Sequence, residues 1–187
     1  MNSTITQVIK ARRSIRKYQD KPIEREKILQ CIEAARLAPS AENVQPWRFI
    51  VIDDPELKDE FSQQAFSGIY RPMLFAAKAP VIIVILAKLD IFANRIGKQI
   101  QGIHYYFIDT GIAGEHFALQ AQELGLGTCW IGWFHPRKVR KVLKIPRNYK
   151  IVSLMSVGYP GEIKLKEKKR LSIDEIAWFN GFKKNSQ

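Results

Sequence analysis

Three arginines and a serine lie within five residues near the start of the chain, in Arg12-Arg13-Ser14-Ile15-Arg16. Guanidinium groups form bidentate hydrogen bonds with phosphate and carbonyl oxygens, and a serine hydroxyl can add another. In an extended backbone Arg12, Ser14 and Arg16 point to one side and Arg13 to the other. The segment is therefore a candidate anion-binding strip that could line a ligand groove, although a solvated basic turn would have the same composition.

A second polar segment spans residues 38–47, with the sequence A-P-S-A-E-N-V-Q-P-W. Prolines stiffen both ends, and Ser40, Asn43 and Gln45 offer hydrogen-bond donors and acceptors between them. This pattern is typical of a binding loop, and equally of a structural loop with local side-chain to backbone hydrogen bonds.

Two further segments could contribute to a site. The run G-T-C-W-I-G-W-F covers residues 127–134, and its Gly132 would let a flat ligand approach the backbone closely. Near the C-terminus, K-K-R-L at 168–171 offers three more cations. The alternatives are core packing for the first run and a charged surface for the second.

Motifs for other chemistries are missing. The chain has no P-loop and no G-x-S-x-G elbow, and its glycines at 125–132 do not have the G-x-G-x-x-G spacing of a dinucleotide site. The three histidines are 12 and 19 residues apart, unlike a helical metal pair, so no metal site is expected. Because no protein nucleophile or acid–base pair stands out, an enzymatic activity would need a cofactor to carry the chemistry.

Hydrophobic periodicity indicates the elements that would position these segments. The predicted helices span residues 4–11, 24–37, 100–124 and 136–143, and the predicted strands span 47–52, 81–86, 128–131 and 151–157. Residues 56–78 are mixed and predict short helices. Helices and strands do not alternate strictly, which favours an α+β fold with a central sheet and one long core helix.

The long helix at 100–124 is apolar over much of its circumference, and Gly125 is a natural stop. A helix that is apolar on more than one face is expected to be buried by its own core and by a second surface, such as a partner chain.

Length and composition limit the class of protein. At 187 residues and 46% apolar content, the chain predicts one globular domain over residues 1–187, with a loose tail after about residue 182. The longest apolar run, Ala79–Ala87, is about half of a membrane span, the first fifteen residues lack a signal-peptide pattern, and two cysteines cannot build a disulfide scaffold. We therefore expect a cytoplasmic protein without a membrane segment.

The net charge of +12 is unevenly distributed. Residues 137–150 carry seven basic and no acidic side chains, whereas residues 101–136 carry three acidic and no basic ones. The basic block could be a solvated helix face, a nucleic-acid surface or part of a site for a phosphorylated cofactor, and its sign alone does not distinguish them.

In their order along the chain, these segments resemble the FMN-dependent nitroreductase family. The matching motifs are R-R-S-I-R-K-Y, then A-P-S-A-x-N-x-Q-P-W-R-F, then D-T-G-I-A-x-E-H-F-x-L-Q-A-x-E-L-G-L-G-T-C-W-I-G, and finally V-G-Y-P. The resemblance covers about residues 3–173. It implies a nitroreductase-like α+β fold, with a mostly antiparallel sheet flanked by helices and the long helix at the interface of a homodimer that binds FMN between its subunits.

The resemblance also implies the cofactor-binding set Arg12, Arg13, Ser14, Arg16, Pro39, Ser40, Ala41, Asn43, Gln45, Ile131, Gly132, Lys168 and Arg170. The first four would contact the phosphate, ribityl chain and pyrimidine edge of FMN, and the last two would close on the phosphate. The residues at 39–45 would come from the second chain, while Ile131 and Gly132 would lie beside flavin N5.

The activity implied is an NAD(P)H-dependent flavin oxidoreductase. Hydride would pass from NADH or NADPH through flavin N5 to a nitroaromatic, a quinone or a similar small acceptor by a ping-pong mechanism, without a catalytic side chain. Phe66, Tyr70 and Arg71 are candidates for flanking the substrate, because lid elements of the family vary around residues 53–80. The alternatives are a flavin-binding protein without enzymatic activity, such as a sensor or flavin store, and a nucleic-acid-binding protein using residues 137–150.

Overall fold

The computed structural model describes residues 4–89, 102–162 and 167–182. The helices there are Thr4–Ala11 (α1), Arg25–Arg36 (α2), Pro55–Ala65 (α3), Tyr105–Glu123 (α4), Pro136–Val142 (α5) and Ile173–Ile176 (α6). The strands are Trp47–Ile52 (β1), Val81–Lys88 (β2), Gly127–Ile131 (β3) and Tyr149–Gly158 (β4). Short 3₁₀ segments span Ala41–Asn43 and Gly68–Lys78. The expected loose tail after residue 182 lies outside the described residues.

The four strands form an antiparallel sheet in the order β1-β2-β4-β3. Strand β2 pairs on both sides, and its residues from Val81 to Ala87 are all buried. This agrees with its continuous apolar run, which is typical of a strand covered on both faces. The sheet therefore confirms the α+β fold predicted from the sequence.

Each face of the sheet carries its own core. Ile83 and Ile85 pack with α2 and α4 on one face, whereas Ile82 and Val84 pack with α3 and α5 on the other. The alternation follows from the two-residue period of side chains along a strand. The sheet is therefore the middle layer of three, and α4 lies across one of its faces.

The long helix α4 is shorter than predicted at its N-terminal end. It begins at Tyr105 after a left-handed Gly102, and Ile103 precedes it, whereas residues 100 and 101 lie outside the described residues. Its end follows the prediction: Gly125 has φ 76° and the Leu126 N–H donates to the Ala121 carbonyl, which closes the last turn.

The mixed segment at 56–78 resolves into α3 and the 3₁₀ segment Gly68–Lys78. Within the described residues, none of the helices combines the length and the apolar character needed to cross a bilayer.

Candidate functional site

The basic strip runs along β3, at the edge of the sheet. Ser14 forms a parallel bridge with Thr128, and the Ile15 N–H donates to the Thr128 carbonyl at 2.8 Å. Ile15 is buried against Gly127, where a Cβ would lie 2.5 Å from its Cγ1, so only glycine permits this approach. Ser14 and Arg16 are exposed on either side of the buried Ile15, as the predicted alternation requires.

The end of the strip is attached to the sheet by Tyr18. Its hydroxyl donates to the Ile15 carbonyl at 2.6 Å and lies 2.7 Å from Ser156 Oγ. Burial raises the pKa of Tyr18 well above its usual value, so the hydroxyl remains protonated and able to donate. The Gly161 N–H donates to the Lys17 carbonyl at 3.0 Å, which adds a second attachment. The strip is thus held by backbone bonds, leaving its polar side chains available.

The basic groups from the two ends of the chain meet at the C-terminal end of α1. Lys168 Nζ donates to the Ile9 and Lys10 carbonyls at 3.1 and 2.9 Å. Arg13 donates to the same Lys10 carbonyl at 3.1 Å, and its Nε is buried without a partner among the described residues. Arg170 lies two residues beyond Lys168 and is exposed. The fold therefore brings Lys168 beside the strip, although the two are far apart in sequence.

The strand that carries the strip ends in an open surface. Ile131 is 1% exposed, whereas Gly132 directly after it is exposed. A Cβ at Gly132 would meet nothing within 4 Å. Because Ser14 pairs with Thr128, four residues before Gly132, the strip and Gly132 share one edge of the sheet, roughly 13 Å apart along it.

A groove of about 610 Å³ lies beside the end of the strip. Arg16 lines it, and the Arg16 guanidinium carbon lies 5.8 Å from the ring centroid of Phe75, which belongs to the same wall. This groove combines a cation with an apolar wall, the two features that a phosphorylated aromatic ligand needs.

The loop at 39–45 has an unusual backbone. Glu42, Asn43 and Gln45 have φ of 49°, 54° and 48°, in the left-handed region that costs a non-glycine residue about 1 kcal/mol or more. Several hydrogen bonds maintain this conformation. The Gln45 N–H donates to Ser40 Oγ and its side-chain amide donates to Asn43 Oδ1, both at 3.0 Å. Conformations of this kind are concentrated at functional sites.

The same loop is attached to α4 through Asp109. The Ala41 N–H donates to Asp109 Oδ1 at 3.1 Å, while Oδ2 is buried without a partner among the described residues. Asp109 is only 3% exposed, and this burial raises the pKa of its carboxyl against the opposing effect of the Ala41 N–H.

The strip and the loop attach to different sides of α4. Arg12 pairs with Glu115, and Ala41 bonds to Asp109, which lies about 9 Å away along the helix axis and about 240° around it. No hydrogen bond or ion pair within the described ranges joins residues 12–16 to residues 39–45. Among the described residues, the strip and the loop are therefore two separate polar segments, each attached to α4 on its own.

An aromatic group borders Gly132. Tyr70 contacts Trp133 edge to face, with ring centroids 5.9 Å apart, and its ring lies 5.6 Å from that of His135. Trp133 is 49% exposed, and Arg71 is exposed beside Tyr70. These aromatic rings border Gly132, and the roles of Tyr70 and Arg71 as substrate contacts stay predictions.

Phe66 does not belong to this wall, and its prediction as a substrate contact is wrong for this chain. Its ring is 2% exposed and packs edge to face on Phe61, with centroids 6.5 Å apart. Although Phe66 lies in the segment where lid elements of the family vary, the fold places it in the core with residues of α3 and α5.

A family model describing the nitroreductase family matches residues 9–72 and 71–159, which include the strip, the loop and β3. The chain belongs to the nitroreductase family. It is therefore an oxidoreductase, and the resemblance read from its motifs is confirmed.

Individual nitroreductases match over most of their length. An Archaeoglobus fulgidus protein provisionally named NADH dehydrogenase/NAD(P)H nitroreductase is 37% identical over 162 residues, covering 84% of this chain and 86% of the relative. A nitroreductase family protein of Clostridium difficile superposes with a TM-score of 0.81 at 32% identity, covering 97% of this chain and 100% of that one. A second C. difficile structure, described as an FMN-dependent nitroreductase, gives 0.72 at 34% identity and covers 94% and 98%.

Sequence reasoning missed two acidic residues that contact the predicted site segments, Asp109 and Glu115. Both lie inside the quoted motif D-T-G-I-A-x-E, so the signal was present. What the motif lacks is the identity of their partners, Ala41 and Arg12, which only the folded chain brings to α4.

Proposed function

We propose that this chain works as a homodimer that binds FMN at the subunit interface and passes a hydride from NADH or NADPH, through flavin N5, to a nitroaromatic, a quinone or a similar small acceptor by a ping-pong mechanism. An FMN-dependent NAD(P)H oxidoreductase is the function that family membership and the names of the relatives support. The acceptor, the order of steps and the cytoplasmic location stay proposals.

The observation that carries this proposal is that the basic strip, which pairs with β3, and Gly132, which follows β3, lie along one edge of the sheet. The FMN phosphate is a dianion, and Arg12, Ser14 and Arg16 with Lys168 offer donors for it at one end of that edge. We assign the exposed Arg170, two residues beyond Lys168, to the same end. The partnerless, buried Nε of Arg13 fits the same interpretation, because a buried donor without an acceptor is expected to find one in a ligand.

At the other end, Ile131 and Gly132 present backbone beside open space. When bound there, FMN supplies a ring that accepts a hydride and gives it up again. The chain's own part is to hold this ring by its phosphate, to leave room at Gly132, and to border the cleft with Tyr70, Arg71 and Trp133.

The separation of the strip from the loop within one chain supports a dimer. The loop at 39–45 is held in a strained conformation, yet its residues have no bonded partner in the strip of the same chain. We assign Pro39, Ser40, Ala41, Asn43 and Gln45 to the site of the partner subunit. Exposed Phe107 and Ile108 on α4 then provide the apolar contact between the subunits.

The proposal is tested with purified protein. It should be yellow, release FMN on denaturation, lose its flavin absorbance on addition of NADH or NADPH, and regain it with a nitroaromatic or quinone. Two-substrate kinetics should give parallel lines. A protein that binds no FMN overturns the proposal, and one that binds FMN but is not reduced by either nucleotide is the sensor or store instead.

Gly132→Val makes the test specific to the site. A Cβ there meets nothing within 4 Å of the chain itself, and Gly132 does not have the left-handed backbone that only glycine tolerates, so the variant should keep the wild-type Tm. It should nevertheless weaken FMN binding or slow flavin reduction by about tenfold or more, because the added methyl groups occupy the space of the ring. Unchanged binding and reduction would place the ring elsewhere.

A further inference from the structure

Glu115 connects two parts of the site that are distant in sequence. Its Oε1 lies 3.0 Å from Arg12 Nε, and its Oε2 accepts a hydrogen bond from Trp130 Nε1 at 3.3 Å. Arg12 begins the basic strip, and Trp130 lies on β3 two residues before Gly132. A single carboxylate on α4 thus contacts both ends of the proposed cofactor edge.

This arrangement depends on Gly114. A Cβ at Gly114 would lie 2.1 Å from Trp130 Cη2, so only a glycine lets the indole lie against the backbone of α4. That close approach brings the indole N–H to the next helical residue, Glu115. The position of the carboxylate is therefore set by packing as well as by charge.

The ion pair between Arg12 and Glu115 contributes little to the stability of the fold. The side chains of Arg12 and Glu115 are 22% and 41% exposed, and ion pairs with such exposure add little to the free energy of unfolding. The contact with Glu115 has a more specific effect on the orientation of the Arg12 side chain. The bond occupies the Nε edge and leaves the two terminal amino groups of the fork without a partner among the described residues.

We propose that Glu115 is a positioning residue for Arg12. By holding the guanidinium at Nε, it keeps the terminal amino groups ready for the phosphate of FMN, and it orders the side chain before the ligand arrives. A side chain that is already ordered costs less to immobilise on binding. The inference rests on the proposed function, because it requires Arg12 to contact the cofactor.

A role of Glu115 through its charge and a role through orienting Arg12 predict opposite effects on FMN affinity when Glu115 is removed. The negative charge of Glu115 repels a phosphate, so its removal would tighten FMN binding if charge alone mattered. If orientation matters, removal weakens binding. Glu115→Gln separates the two effects, because it loses the charge but keeps an oxygen that can accept from Arg12 Nε.

The test is a double-mutant cycle with Arg12→Ala and Glu115→Ala. The Kd for FMN is measured by diluting the flavin-loaded protein and following the fluorescence of released flavin. Glu115→Ala should raise Kd about threefold to tenfold in the wild-type background. It should have no further effect when Arg12 is already alanine, since it acts only through that residue. Glu115→Gln should raise Kd less than Glu115→Ala.

The matched control is Glu33→Ala. It removes the same charge and breaks an ion pair with Arg36 at 2.6 Å on the exposed face of α2, so Kd should not change. If Glu115→Ala does not fold, Glu115→Leu replaces it in the cycle. Additive losses, or tighter binding in either variant, would overturn the role of Glu115. Failure of the wild-type protein to bind FMN would instead overturn the proposed function.

Discussion

At the scale of single residues, α4 carries two carboxylates in contrasting environments. Glu115 is partly exposed and bonded to two cationic or polar donors, Arg12 and Trp130. Asp109 is buried, and its bonded partner among the described residues is one backbone N–H. Burial therefore makes the charge of Asp109, which holds the loop, costly in free energy. Glu115, which contacts the strip, is partly exposed and has little desolvation to overcome.

The pH dependence of stability should reveal Asp109. Burial raises its pKa above the ordinary value of 3.8, so the folded state favours the protonated form. The stabilisation from this group is then complete below the unfolded pKa and is lost as pH rises through the folded pKa. Asp109→Asn keeps an oxygen for the Ala41 N–H without ionising, so wild type should lose stability relative to the variant as pH rises above about 4.

The measurement is urea unfolding of both proteins from about pH 4 to about pH 7. A difference that does not change with pH would contradict the prediction. A wild type that gains stability relative to the variant as pH rises would contradict it as well, because the folded state would then favour the ionised carboxylate.

At the scale of elements, the basic block at 137–150 has a structural role that could not be inferred from its charge. The Arg140 guanidinium donates to the carbonyls of Ile145, Pro146 and Tyr149. These bonds close the turn between α5 and β4, where Lys144 adopts a left-handed φ of 50°. At least one of the seven basic residues is therefore needed for the fold itself rather than for an anionic partner.

Arg140→Ala should lower the free energy of unfolding by about 2 kcal/mol, because it removes a charged donor from three carbonyls. Lys141→Ala is the control, since its side chain is exposed on the same helix and should change stability by less than about 0.5 kcal/mol. Urea denaturation of the two variants measures the difference. Equal stabilities would show that water replaces the arginine at these carbonyls without cost.

The sequence predicted elements better than contacts. Strand β1 was predicted with its exact limits, because β-branched and aromatic residues between a proline and an aspartate pair leave little choice. The short helix α6 was missed, since four exposed residues with a capping box have no hydrophobic period to detect.

In the candidate site, too, the segments could be predicted from the sequence, whereas the contacts between them could not. The Arg12–Arg16 strip and Gly132 follow from composition and motif, and the alternation around Ile15 follows from strand geometry. The bonds from Glu115 to Arg12 and from Asp109 to Ala41 depend on how α4 crosses the sheet, which no local pattern contains. Phe66 fails for a related reason: its burial is decided by α3 and α5, not by its neighbours in sequence.

At the scale of the whole molecule, apolar surface remains exposed where a partner is proposed. Phe107 and Ile108 on α4 are 43% and 51% exposed. The C-terminal segment 171–182 is exposed throughout, with six large apolar side chains: Leu171, Ile173, Ile176, Trp178, Phe179 and Phe182. Trp178 and Phe182 contact each other within this segment, with ring centroids 4.6 Å apart. Large apolar side chains that cluster on a surface are typical of an interface between chains.

Ile108→Lys should convert the protein from a dimer to a monomer and remove its FMN, because a charge at the centre of an apolar interface must be desolvated without a partner. Light scattering after size exclusion measures the mass, and flavin absorbance in the same peak measures the cofactor. Leu29→Lys on α2 is the control: Leu29 is 54% exposed and lies on a helix to which no part of the proposed interface is assigned, so mass and flavin should not change. Since each proposed site takes its strip from one chain and its loop from the other, mass and flavin should be lost together. A monomeric Ile108→Lys that keeps its FMN would show that one chain binds the cofactor alone, and would contradict the assignment of residues 39–45 to the partner's site.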